Sequence, residues 1–191
     1  MQPIVRNEVL PIGEYEQIRP RFRARVIEEK RSRRTTVGPH ISVIFENRDT
    51  VLLQIQEMLR AERITKESAI QHEIDTYNDL LPGAYELSMT LFIEIADAVL
   101  REQTLIALQG LETMVALEVD GVKFSATHPP HGVMPDRTTA VHYFKIKLSA
   151  QACASIQAKT AVVAVCVEHP KYETRVELSK AVVASLAEDF V

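Results

Sequence analysis

The sequence predicts an α+β fold, with an N-terminal helical segment packed on a mainly antiparallel sheet domain of split βαβ-like (ferredoxin-like) order. Three observations predict it. Neither glycine nor proline occurs from His40 to Leu81, 42 residues bounded by Gly38-Pro39 and Pro82-Gly83, and such a gap suits helices. Beyond Pro82 the apolar residues switch to period two, the pattern of strands with one buried face. Asp120-Gly121 sits between Val119 and Val122, the two-residue turn that joins hairpin strands.

In chain order, Tyr15, Ile18, Phe22 and Val26 recur at helical spacing and predict a first helix over about 14–31, which Pro20 should bend or truly begin. Residues 41–46 admit a short strand or the first turns of a longer helix with Pro39 near its start; the helix is the reading adopted. That choice puts Arg48 alone among apolar residues on one face, where a partly buried guanidinium needs a carboxylate or several carbonyls. Val51, Leu52, Ile55, Met58 and Leu59 predict a helix over 50–63, and Ile70, Ile74, Tyr77 and Leu81 a second over 66–81 after a Thr65 cap. Strands follow around 87–95, 115–119 and 140–148, with helical patches near 97–109 and 150–158. Leu178, Val182, Val183, Leu186 and Phe190 make a closing amphipathic helix. The segments expected are 1–82, helical with a basic arm, and 83–191, the sheet domain, which together can form one compact unit.

Composition narrows the class. With 46% hydrophobic and 25% charged residues the chain is of ordinary soluble type, and no apolar run approaches the roughly 20 residues that cross a bilayer. Arg6, Glu8, Glu14 and Glu16 exclude a secretory signal, so a cytoplasmic location is expected. Cys153 and Cys166 fit no zinc or CxxC spacing and are expected as reduced thiols. The net charge of −4 conceals a basic arm: Arg19 to Arg34 holds eight basic against two acidic residues, +6 locally, leaving −10 elsewhere.

Few motifs carry chemistry. His128-Pro129-Pro130-His131 with His142 assembles three candidate nitrogen ligands for a metal, at a spacing that matches no named metal motif; His142 shares a face with Phe144 and Ile146, which favours a hydrogen-bonded core histidine. His72, Asp75 and Asp79 share one side of a helix and can face Glu57 and Glu62 across a helical hairpin. Without a Glu-x-x-His pair, a structural ion-pair network with Arg60 and Arg63 is the better reading. The arm residues Arg21, Arg23, Arg25, Arg31, Arg33 and Arg34 suit an intramolecularly paired helix face first and docking of an acidic partner second. Nucleic acid comes last, since Phe22 is the lone aromatic and no nucleic-acid motif is present. No phosphate-cradling glycine loop and no nucleophile elbow occurs, and no motif names a cofactor.

Several runs together carry a resemblance: Val37-Gly38-Pro39, Phe45 to Val51, Gln54 to Glu62, Glu73 to Asn78, Leu91 to Ile95, Ala140 to Tyr143, and His169-Pro170-Lys171-Tyr172. Over nearly its whole length the chain resembles a bacterial domain family of unknown function. Members tend to be encoded beside a rubrerythrin-like protein and an iron-sulfur oxidoreductase, so the resemblance implies a place in a cytoplasmic redox or peroxide-protection system. It also marks Glu46, Arg48, Asp49, Glu57, Arg60, Asp75, His142 and Tyr143 as a candidate polar site, although a shared core network predicts the same pattern. The expectation is a noncatalytic accessory protein that binds such a redox partner through the arm, with the 46–62 polar network holding the helices in register. The alternative is a metal-dependent or redox enzyme using carboxylates and His142, and a third reading is nucleic-acid binding. Exposed sheet edges and amphipathic helices also make a homo-oligomer the expected state.

Overall fold

The computed structural model describes residues 1–129 and 134–190. Helix α1 (Ile12–Arg31) runs unbroken through Pro20, which lies on the exposed side, where water can satisfy the carbonyl that proline leaves unbonded. It leads into β1 (Arg34–Val37) and β2 (Ile41–Glu46), so the helix expected to begin at Pro39 is a strand. The reason is burial on both faces. All six residues of β2 are buried, and with apolar residues at 41 and 43–45 the run carries no clean period to separate it from a helix. Gly38 makes the turn at φ +73°, and a Cβ there would lie 2.6 Å from the Tyr172 hydroxyl. That hydroxyl donates to Val37 O (2.7 Å) and accepts from the amides of His40 (3.1 Å) and Ile41 (3.2 Å).

Helix α2 (Arg48–Ala61) starts where Asn47 caps it: Asn47 Oδ1 accepts from the Thr50 amide at 3.0 Å and Thr50 Oγ1 from the Asn47 amide at 2.9 Å, a reciprocal cap worth about 1 kcal/mol. Helix α3 (Glu67–Asn78) follows; its cap position is Lys66, without a side-chain bond, in place of the expected Thr65. Then come β3 (Glu86–Ile93), α4 (Ala98–Ala107), β4 (Val115–Val119), β5 (Val122–Ser125), β6 (Val141–Lys147), α5 (Ala150–Gln157), β7 (Val163–His169), β8 (Tyr172–Glu177) and α6 (Lys180–Leu186). Asp120 and Gly121 both take positive φ, the backbone that the tight β4–β5 turn requires.

The class is α+β, and every strand pairing is antiparallel. The strands divide between two four-stranded sheets, one in the order β1-β2-β3-β6 and the other β5-β4-β7-β8, a more elaborate arrangement than one split βαβ-like sheet. Strands β2 and β3, from either side of Pro82, hydrogen-bond to each other, so the first sheet joins the 1–82 and 83–191 segments. Inward-facing Val43, Phe45, Met89 and Leu91 of the first sheet share one core with Leu117, Val165 and Val167 of the second, closed by Ile156 of α5 and Leu186 of α6. A second apolar cluster joins Ile4 and Val9 to Val51, Ile55 and Leu59 of α2 and Ile70 and Ile74 of α3. Helices α2 and α3 lie over the other face of the first sheet at Glu46, Ser88 and Thr90, all buried.

Candidate functional site

Three separate places receive the polar residues that the sequence singles out. The first is a ladder between α1 and α2. Glu16 pairs with Arg60 (2.6 Å), Arg19 grips Glu57 with two bonds of 2.8 Å, the Tyr15 hydroxyl donates to the same carboxylate (2.6 Å), and Arg25 meets Asp49 (2.5 Å). Glu29 accepts from the Asn47 side chain at the far end. The Arg19 guanidinium, with Tyr15 assisting, holds the Glu57 carboxyl down at about 2 against its burial. Glu57 therefore faces α1, and Asp75 is exposed on α3 and accepts from Gln71 (2.8 Å), so among the described residues Glu57 and Asp75 do not pair across the α2–α3 hairpin.

The basic arm is largely consumed by the same ladder and by neighbouring acids. Arg31 pairs with Glu28 and Arg34 with Glu94. Arg33 is not on the surface at all: it is 1% exposed, donates to Phe45 O (2.8 Å) and Ser185 Oγ (3.1 Å), and pairs with the buried Asp189. The buried guanidinium expected at Arg48 is thus Arg33; Arg48 stays a third exposed and pairs with Glu8. Among the described residues, Arg21, Arg23 and Lys30 make no ion pair, and Arg21 and Arg23 are exposed.

The second place lies beneath α3, on the outer face of the first sheet. Glu46, at 1% exposure, accepts from the hydroxyls of Thr50 (2.5 Å) and Thr90 (2.6 Å). It precedes the Asn47 cap, so its charge sits at the positive end of α2. Strand register aligns Glu46 with Ser88 and Ser88 with Lys145, and in the adjacent row Thr90 with Tyr143. A cavity of about 410 Å³ opens beside these rows, lined by Thr76, Tyr77, Asp79 and Leu80 of the α3 region and by Ser88, Tyr143 and Lys145 of the sheet, within the range of small-ligand sites. Burial pushes the Tyr77 and Tyr143 phenols up, and the Glu46 charge adds to the rise at Tyr143. Both phenols therefore stay protonated donors at neutral pH. Lys145 donates to Leu81 O and stands 3.3 Å from Glu86. Tyr77 and Lys145 were not legible as site residues, because Tyr77 reads as one more member of an apolar helix stripe and Lys145 as an ordinary solvent-side strand position.

The third place is on the opposite face of β6. His142, 2% exposed, points into the intersheet core and stacks on Phe144 at 5.8 Å, so it is separated from Tyr143 by the alternation of the strand. Burial and the neighbouring His128 pull its imidazole down to about 4. The His128 and His142 rings lie 5.3 Å apart; His131 lies outside the described residues. Among the described residues no group of three or more His, Cys, Asp or Glu is placed to hold a metal. Cys153 and Cys166 are free and buried, with thiols pushed up by desolvation. No helix among the described residues is long and apolar enough to cross a membrane.

Fold and site together define an α+β protein that holds a small polar-and-aromatic cavity between a helix layer and a sheet, with its arginine-rich helix locked down by acids. The chain belongs to the DUF3501 family: the family model described as protein of unknown function (DUF3501) matches residues 3–190. It is similar to a crystallised novel protein of unknown function from Burkholderia pseudomallei K96243, with 32% identity over 100% of both chains and a TM-score of 0.92. No curated protein matches the chain.

Proposed function

We propose that this protein is a noncatalytic, ligand-binding accessory protein and that the cavity under α3 is its working site. The observation that carries the reading is the convergence of the Tyr77 and Tyr143 phenols and the Lys145 ammonium on one cavity of about 410 Å³ with Leu80 and Pro129 among its walls. Three donors over an apolar wall suit a small, ring-sized molecule carrying hydrogen-bond acceptors. The phenols are held protonated and Lys145 is already engaged by Leu81 O and Glu86, which supports binding over acid–base chemistry. The family resemblance supports a cytoplasmic redox or peroxide-protection setting, with a rubrerythrin-like or iron-sulfur oxidoreductase as partner.

The test is a thermal-shift screen of small ring compounds bearing carbonyl or carboxylate groups, run on the wild type and on Thr76→Trp. Thr76 is exposed at the cavity wall, so the indole fills the site without entering the core. Compounds that raise the wild-type Tm and leave the variant unmoved are expected; shifts equal in both proteins would sink the reading.

Partner docking by α1 is favoured by one separate observation. The ladder fixes the helix rigidly against α2 while Arg21 and Arg23 stay exposed and unpaired among the described residues, which presents two fixed guanidinium groups to an acidic protein surface.

A further inference from the structure

His142 is a buried imidazole with one nitrogen used and one idle. Its Nε2 lies 2.8 Å from Thr138 Oγ1 and 3.4 Å from Thr139 Oγ1. The Thr139 hydroxyl donates to Val141 O (2.8 Å), and the Thr138 hydroxyl has two acceptors in reach, Glu112 Oε2 (3.4 Å) and His142 Nε2 itself. With the Thr138 hydrogen on Glu112, Nε2 of His142 donates to Thr138 and a lone pair is left on Nδ1. Among the described residues that buried Nδ1 has no hydrogen-bond partner, and an unsatisfied buried acceptor is rare enough to demand a cause.

His128 reaches the complementary state by a different route. Its Nδ1 lies 2.5 Å from Pro129 O, and a carbonyl only accepts, so Nδ1 carries the hydrogen and Nε2 the lone pair. The two ring centroids are 5.3 Å apart at an interplanar angle of 67°. Two imidazoles bound at about 2.1 Å to one tetrahedral ion hold their centroids about 5.2 Å apart. Each ring also has the outer support usual for a ligating histidine, its second N–H held by a backbone carbonyl or by a hydroxyl that leads to a carboxylate.

We infer that His128 and His142 form a two-nitrogen site for a zinc-like divalent transition ion, supported from behind by Thr138 and Glu112. Neutral imidazole suits zinc, cobalt and nickel alike. The site lies on the core face of β6, the face opposite Tyr143, adjoins the cavity at Pro129 and Phe144, and does not depend on the ligand-binding proposal.

The test uses the untagged protein and metal ions alone. Zinc is titrated in competition with a chromogenic chelator, and cobalt is followed by the visible absorption of its four-coordinate form. One equivalent of zinc should compete, with the cobalt spectrum appearing at the same stoichiometry. His128→Ala, at a half-buried loop position, should weaken binding by more than tenfold, and Thr138→Val should weaken it by about tenfold through the lost support. Absence of a zinc equivalent, or His128→Ala binding as tightly as wild type, would overturn the inference. Should a His142→Gln variant fail to fold, the His128 variant decides alone.

Discussion

Replacing Glu57 by glutamine probes the α1–α2 ladder at its centre. The carboxylate receives both Arg19 bonds and the hydroxyl of Tyr15, itself fully buried. With its carboxyl held at about 2 rather than the ordinary 4.5, the shift corresponds to about 3 kcal/mol at 1.36 kcal/mol per pH unit. The Arg19 and Glu57 side chains are 27% and 30% exposed, and solvent screening reduces that figure to about 1.5 kcal/mol. The sign follows from linkage. A carboxyl whose folded value is depressed contributes stability in full above about 4.5, and that contribution is lost as pH falls toward 2. Urea denaturation of wild type and Glu57→Gln is therefore expected to differ by about 1.5 kcal/mol at pH 7, with equal m-values, and the gap is expected to close steadily as pH falls below 4.5. A gap that keeps its size down to pH 3, or is absent at pH 7, would refute the reasoning.

Asp189→Asn strips the buried Arg33 guanidinium of its counter-charge and leaves it only carbonyls and Ser185. A loss of about 3 kcal/mol is expected in urea denaturation, larger than for the double change Arg33→Met/Asp189→Leu, and a loss below about 1 kcal/mol would show the pair to be energetically idle. Charge reversal at Arg21 and Arg23 is expected to weaken binding of an acidic redox partner by at least tenfold, with steep salt dependence in the wild type. Unchanged affinity in fluorescence anisotropy would remove α1 as the docking face.

The legible parts of this fold were those with a period. The alternation at β3, β4 and β6, the Asp120-Gly121 turn and the apolar stripes of α2 and α3 all appear at their expected places. Strand β2 is buried on both faces and has no period to tell it from a helix, yet Asn47 and Thr50 carry a cap signal that separates strand from helix. Strand β8 escaped notice because its half-buried Tyr172, Thr174 and Val176 alternate with charges and present little apolar contrast. Pairs distant in sequence were invisible in kind. Nothing local distinguishes Arg33 from its arginine neighbours until Asp189 is brought against it, or explains Glu46 without the hydroxyl of Thr90 from another strand. Gly38 and Tyr172 fall in separate runs far apart in sequence, and nothing local shows that the Tyr172 hydroxyl closes over the Gly38 turn.

Binding of a small molecule in the cavity between α3 and β6 is best tested by NMR of tyrosine-ring-labelled protein exposed to the screened compounds. The Tyr77 and Tyr143 ring signals are expected to shift together and saturably, while those of Tyr15 and Tyr172 stay fixed in their structural hydrogen bonds. Rings at Tyr77 and Tyr143 that remain unmoved by every compound that stabilises the protein would contradict it.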